Sequence, residues 1–237
     1  MKTLFGCISL LLVFGGCTST INSATGAQAK IKSHQTIAIL PFEVRFDLRN
    51  KNRKKFSDKE LAEVRHFMAT GLQEYLYGWL NHYSNTKPFT VTIQHVDVTD
   101  SILSDKKISY MVLYNMGRTE LANILGVDAV LTPNVIFAQP NSPAVAALLN
   151  PIDLFDPLNP SNSVFLNEVA TQEMKMQVLV TDKSSETPIW AFETKTQNSR
   201  SYGFSTKRQK ENILYPLFDN IDKTLTRFIK KFPYVHN

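Results

Sequence analysis

Cysteine is almost missing from this chain: there are two in 237 residues, Cys7 and Cys17, both near the start. Beyond residue 17 no disulfide can form, so a cystine-stapled scaffold is excluded and a packed core must hold the fold. Long apolar runs are missing as well. The longest, residues 4–14, is cut off by Gly15 and Gly16 before polar Thr18, Ser19 and Thr20, short of the roughly 20 residues a membrane span needs. Catalytic signatures are absent too: there is no G-x-S-x-G, no H-E-x-x-H and no G-x-x-x-x-G-K. The five histidines stand singly at 34, 66, 82, 95 and 236. Glu63-Val64-Arg65-His66 matches the Glu-x-x-His of di-iron bundles, but that chemistry needs a second copy and two further carboxylates. His66 is therefore read as a polar-face residue, and no metal or cofactor is expected. The charge balance, 26 Lys and Arg against 21 Asp and Glu, is too even to announce a nucleic-acid binder.

What is present at the start is a secretory layout: Lys2, then an uncharged apolar stretch, then small residues. Phe14-Gly15-Gly16-Cys17 resembles the lipobox of bacterial lipoproteins. That resemblance implies removal of residues 1–16 and acylation of Cys17, which becomes the new amino terminus. Each buried methylene contributes about 0.8 kcal/mol, so several acyl chains anchor firmly where one binds reversibly. Thr18, rather than Asp, follows the cysteine, which implies sorting to the outer membrane with the domain facing the periplasm. The alternative is an ordinary signal peptide with Cys17 left as a thiol. No nucleic acid is expected as a partner in that compartment.

Residues 17–35 are small, polar and aperiodic, and read as a lipidated flexible tether; the folded domain is expected over 36–237. "TIAILPF", residues 36–42, is a short apolar run ended by Pro41, which predicts a first, central, buried strand. A basic loop follows, with Arg45, Arg49, Lys51, Arg53, Lys54 and Lys55. Ser57-Asp58-Lys59-Glu60 forms a capping box with Phe56 and Leu61 as its staple, so a helix starts at Asp58. Leu61, Val64, Met68, Leu72, Tyr75 and Trp79 give it an apolar stripe, and Gly71 and Gly78 suggest close approach to a neighbour. A strand over 89–96, a helix over 116–126 and a strand over 127–138 follow, with Pro133 pointing to a bulge or an edge. Residues 139–163 carry five prolines and form an insertion. Met174, Met176, Val178 and Val180 then alternate in the first arm of a hairpin turned by "DKSSET". Leu214, Leu217, Ile221, Leu225 and Phe228 mark a last amphipathic helix.

"TIAILPF" and "ELANILGVDAVLTPNVI", in that order with a capped helix between, resemble a superfamily of envelope proteins. It includes the TolB amino-terminal domain, the curli secretion lipoprotein and the lipoprotein activators of penicillin-binding proteins. The resemblance implies an α/β fold: a single mixed-sheet domain with helices packed on it, the two quoted strands side by side. It carries over no catalytic residue, since those proteins mostly bind partners.

Two candidate surfaces remain. The basic loop either contacts anionic headgroups, at about 1 kcal/mol per Lys or Arg, or is simply solvated. In the insertion, Leu148, Leu149, Leu154 and Phe155 either fold back on the core or form a patch for a partner or for self-association. The expectation is a non-enzymatic, lipid-anchored interaction or assembly module serving an unidentified envelope partner. The alternatives are a multimeric secretion or pore component, which proline-dense residues 139–163 argue against, and a hydrolase without a recognisable motif.

Overall fold

The computed structural model describes residues 19–139, 172–198 and 221–236. Along the chain these form β1 (Ser19–Ser23), α1 (Ala27–Ser33), β2 (Thr36–Ile39), β3 (Glu43–Asp47), α2 (Asn50–Arg53), α3 (Asp58–Ser84), β4 (Thr92–Ile93), α4 (Val96–Asp105), α5 (Tyr110–Leu113), α6 (Arg118–Leu125), β5 (Ala129–Ala138), β6 (Gln172–Asp182), β7 (Trp190–Asn198) and α7 (Ile221–Ile229). The strands build one mixed sheet in the order β1-β7-β6-β5-β2-β4, with β3 alongside β5. The fold is the α/β domain with a mixed sheet that the sequence implied.

β2 is apolar on both faces because it is walled in on both. β4 and β5 flank it in parallel, and Ile37, Ala38 and Ile39 are fully buried. It is not the first strand, since β1 precedes it. Pro41 ends its ladder, and the chain resumes as β3, also parallel to β5 but farther along it. Two tyrosines hold this jog: Tyr114 donates to the Pro41 carbonyl at 2.6 Å, and Tyr110 donates to that of Phe42 at 3.0 Å. Pro133 sits where β5 has passed Leu131, the last residue paired with β2, and not yet reached Asn134, the first paired with β3. A residue without an N–H is tolerated there because that side of β5 carries no ladder.

Asp128 explains the "GVDAV" stretch. Gly126 ends α6 at φ 69°, a left-handed position that costs glycine little. The Asp128 carboxylate then accepts from the backbone N–H groups of Gln35 and Thr36 at 2.8 and 3.1 Å and from the Lys183 ammonium at 2.7 Å. The Lys183 and backbone hydrogen bonds hold its pKa down at about 2. One side chain thereby fastens the start of β2 to that of β5.

α1, α3 and α7 cover one face of the sheet, over Ile37, Ile39, Leu131, Phe137, Met176, Val178 and Phe192. Helix α3 begins as expected: Ser57 Oγ accepts from Glu60 N at 3.1 Å, and the Glu60 carboxylate accepts from Ser57 N at 2.8 Å. Ser57→Ala should cost about 1 kcal/mol, read as a lowered midpoint in urea. The buried stripe is rotated from the expected one. Leu61, Met68, Ala69, Gln73, Leu76 and Leu80 face the sheet, Leu72 is half-buried and Tyr75 is exposed. Gln73 belongs there because its amide donates to the Ile39 carbonyl at 2.8 Å. A Cβ at Gly71 or Gly78 would meet nothing within 4 Å, so neither marks a close approach. That role falls to Gly117, where a Cβ would lie 2.7 Å from the Glu186 carboxylate, which caps α6 by accepting from Arg118 N and Thr119 N.

On the other face α4, α5 and α6 cover only the end of the sheet around Ala38, Leu40 and Val130. The expected strand over 89–96 shrinks to β4, since Val96 already opens α4 behind His95. α7 places Leu225, Phe228 and Ile229 in the core; the preceding residues expected in that helix lie outside the described ones.

The tether reading of residues 17–35 is overturned from Ser19 onward. β1 pairs antiparallel with β7, Ser19 opposite Thr194 and Ser23 opposite Trp190, and α1 buries Ala27 and Ile31. The segment is polar because both faces of this edge strand are exposed; its order comes from backbone pairing with β7, not from an apolar pattern of its own.

Candidate functional site

The part of the sheet face that the described helices leave bare is a graded polar surface. Alternation along β3, β5, β6 and β7 turns every second side chain toward it, and the registers align them in rows. Glu43, Asn134, Gln177, Glu193 and Thr20 form one row, and Arg45, Ile136, Lys175 and Lys195 the next. Asp47, Ala138, Glu173 and Gln197 form a third. The first two rows line a shallow concavity of about 400 Å³.

Its charges are internally matched. Glu173, 6 % exposed, meets Lys195 at 2.6 Å and Lys175 at 3.1 Å. Burial works against its ionisation, but Lys195, Gln197 and Lys175 outweigh it and hold the carboxyl below its usual range. Arg45 donates to Glu43, and Gln177 Nε2 donates to Glu193 at 2.6 Å. Asn134 Oδ1 is buried without a partner among the described residues. Such a surface offers polar and charged contacts; its lining side chains include neither a hydroxyl–histidine pair nor a thiol.

The basic segment is not a loose loop. Leu48 and Phe56 are buried in the core, Asn52 donates to the Gln139 side chain at 2.8 Å, and residues 50–53 form α2. Its cations divide by task. Arg53 bonds Asp58 and the Phe56 carbonyl ahead of α3, and burial lowers the pKa of Arg49. Arg45 lies on the open face, bonded to Glu43. Among the described residues, Lys51, Lys54 and Lys55 have no acidic partner within salt-bridge distance; Lys51 and Lys54 are exposed and Lys55 is half-buried.

A second cluster centres on His34, within residues 17–35. His34 is 4 % exposed; its Nε2–H donates to Asp182 at 2.8 Å, and its Nδ1 accepts from the Tyr234 hydroxyl at 2.7 Å. A carboxylate can only accept, which sets this tautomer. Tyr234 is fully buried, so the hydrogen-bonded chain Asp182–His34–Tyr234 lies within the packed interior. It joins the ends of α1, β6 and the C-terminal segment. Nothing in the sequence marked it, since a lone histidine between polar residues carries no pattern.

Of the other predicted residues, Cys17 and the insertion's Leu148, Leu149, Leu154 and Phe155 lie outside the described residues. His66 is exposed, its ring edge-on to Tyr110 at 5.8 Å. Among the described residues, no group of His, Cys, Asp and Glu is placed to hold a metal ion, and no helix is long and apolar enough to cross a membrane.

No family model matches the chain, and no curated protein matches it. Solved structures do. A lipoprotein from Neisseria meningitidis aligns at 9 % identity and TM-score 0.40, over 81 % of this chain and 96 % of that one. The LpoB C-terminal domain from Salmonella enterica aligns at 9 % identity and TM-score 0.33, over 74 % and 96 %. A PelC dodecamer from Paraburkholderia phytofirmans aligns at 11 % identity and TM-score 0.30, over 85 % and 98 %. All three likenesses have TM-scores of 0.40 or lower and carry no inference about family or role.

Proposed function

We propose that this chain is a non-enzymatic, lipid-anchored module on the periplasmic side of the outer membrane, and that its open sheet face receives a polar surface of an envelope partner. The observation that carries this is the position of β1. It begins two residues after Cys17 and forms the edge of the sheet, beside the polar face that the described helices leave bare. The absence of catalytic signatures in the sequence and the internally matched charges of the concavity support recognition rather than chemistry.

A photocrosslinking residue in place of Gln177, within the concavity, tests this in intact cells. It should capture a discrete envelope partner, while the same probe at Lys59, exposed on α3, should not. Equal capture at both positions, or none at Gln177, would contradict the reading.

The insertion is proposed as an accessory contact. If Leu149 and Phe155 touch a partner, changing both to Ser should weaken capture from Gln177 and leave stability within about 0.5 kcal/mol, as for exposed positions. If they pack on the core, the pair should cost several kcal/mol. Melting and capture measured on one double mutant separate the two.

A further inference from the structure

The sheet registers place Ser19, the start of β1, and the basic segment toward the same end of the domain. Phe46, Phe137, Met174 and Thr196 lie on one row across β3, β5, β6 and β7, and Ser19 of β1 stands opposite Thr194, one row short of that level on the same face. β1 runs antiparallel to β7, so Ser19 is the end of β1 nearest the level where β7 finishes. β3 finishes there too, and α2 follows it directly. Cys17, two residues before Ser19, is within about 7 Å of it along an extended chain. From β1 to β3 is four strand spacings, about 19 Å. An acylated Cys17 would therefore hold the β1 edge of this end near the bilayer and leave α2 within reach of it.

The chemistry at that end fits what it would meet. Lys51, Lys54 and Lys55 have no acidic partner within salt-bridge distance among the described residues, whereas Arg45 is paired with Glu43 and Arg53 with Asp58. The opposing carboxylates are few: Asp58 is engaged by Arg53 and Glu173 by two lysines, leaving Asp47 exposed. The segment is also stiff, held by Leu48, Phe56 and the Asn52–Gln139 bond, so its charges are presented at a fixed place. With the anchor at one edge of the sheet and these lysines beyond the opposite strand, two contacts fix the tilt of the domain where one would let it swing.

We propose that Lys51, Lys54 and Lys55 dock on anionic lipid headgroups beside the anchor, orienting the domain on the membrane. This rests on acylation of Cys17. It also gives the open face a defined direction, because its rows run between the two contacts.

The mature lipidated protein, reconstituted in vesicles of phosphatidylcholine with or without phosphatidylglycerol, tests the proposal. Cys7 leaves with the signal and Cys17 is acylated, so N50C supplies a single thiol beside the lysines for a fluorophore. T187C, in the β6–β7 turn at the other end of the sheet, supplies the reference. A nitroxide quencher on the lipid headgroup should quench the N50C probe several-fold more than the T187C probe, and only when phosphatidylglycerol is present. K51Q/K54Q/K55Q, or salt near 1 M, where screening falls to about 3 Å, should abolish that difference while the protein still floats with the vesicles. Equal quenching at both probes, or quenching indifferent to the three lysines, would overturn the docking. Failure to float would instead overturn the anchor on which it rests.

Discussion

Leu76→Asp should leave no cooperative unfolding transition, and Leu76→Ala should lower stability by about 2–5 kcal/mol. Leu76 is fully buried in the middle of α3, facing the sheet. An aspartate there would be a carboxylate without a partner in the packed layer between helix and strands. Removing a charge from water without compensation costs more than a domain with 5–15 kcal/mol of total stability can offset. Phe67→Asp on the same helix is the control, because Phe67 is 78 % exposed and should change stability by no more than about 0.5 kcal/mol. Chemical denaturation of the three variants reads the result. A Leu76→Asp chain with an unchanged midpoint would mean that α3 does not cover the sheet.

His34→Ala should cost about 1–3 kcal/mol, because it leaves the buried Tyr234 hydroxyl without its partner and takes one hydrogen bond from the Asp182 carboxylate, which keeps those from Ser184 and Lys30. Adding Tyr234→Phe should cost less than the sum of the single changes, since it removes the stranded hydroxyl. The same cluster sets the acid response. Asp182 is disfavoured as an anion by burial, yet hydrogen bonds from Ser184, His34 and Lys30 outweigh that and hold its pKa well below the ordinary value; Asp128 is held at about 2. A carboxylate with a depressed folded pKa contributes stability above its unfolded pKa, near 4, and loses it as pH falls through the folded value. Stability should therefore be level above about pH 5 and decline from there toward pH 2, with Asp182→Asn flattening the decline. A stability that rises on acidification would contradict the assignment.

The parts of the fold that were readable in the sequence are those whose own side chains declare their surroundings. β2 shows its burial as a continuous apolar run, β6 shows one buried face as Met174, Met176, Val178 and Val180, and α3 shows its start as a reciprocal cap. β1 shows nothing, because an exposed edge strand owes its existence to the neighbour it pairs with. Gln73 misplaced the α3 stripe for a related reason: its burial depends on the Ile39 carbonyl, a partner supplied only by the folded chain. The polar rows of the open face were half visible. Lys175, Gln177, Glu193 and Lys195 are the outward half of an alternation, but Glu43 and Arg45 join them only because the jog at Pro41 carries the chain from β2 to β3 along the same strand. The basic segment was visible as composition; that Arg49 and Arg53 are engaged locally while Lys51, Lys54 and Lys55 are left over required their partners to be seen.

The central claim is that the domain is fastened to a membrane through Cys17 with almost no chain between anchor and sheet. Intact-mass and amino-terminal peptide analysis of the protein from bacterial membranes tests it most directly. An anchored chain begins at Cys17, carries the mass of its acyl groups on that residue and stays in the membrane fraction, and Cys17→Ser releases it or leaves it unprocessed. A mature chain that begins elsewhere, or a Cys17 with an unmodified thiol in a chain washed free of the membrane, would contradict it.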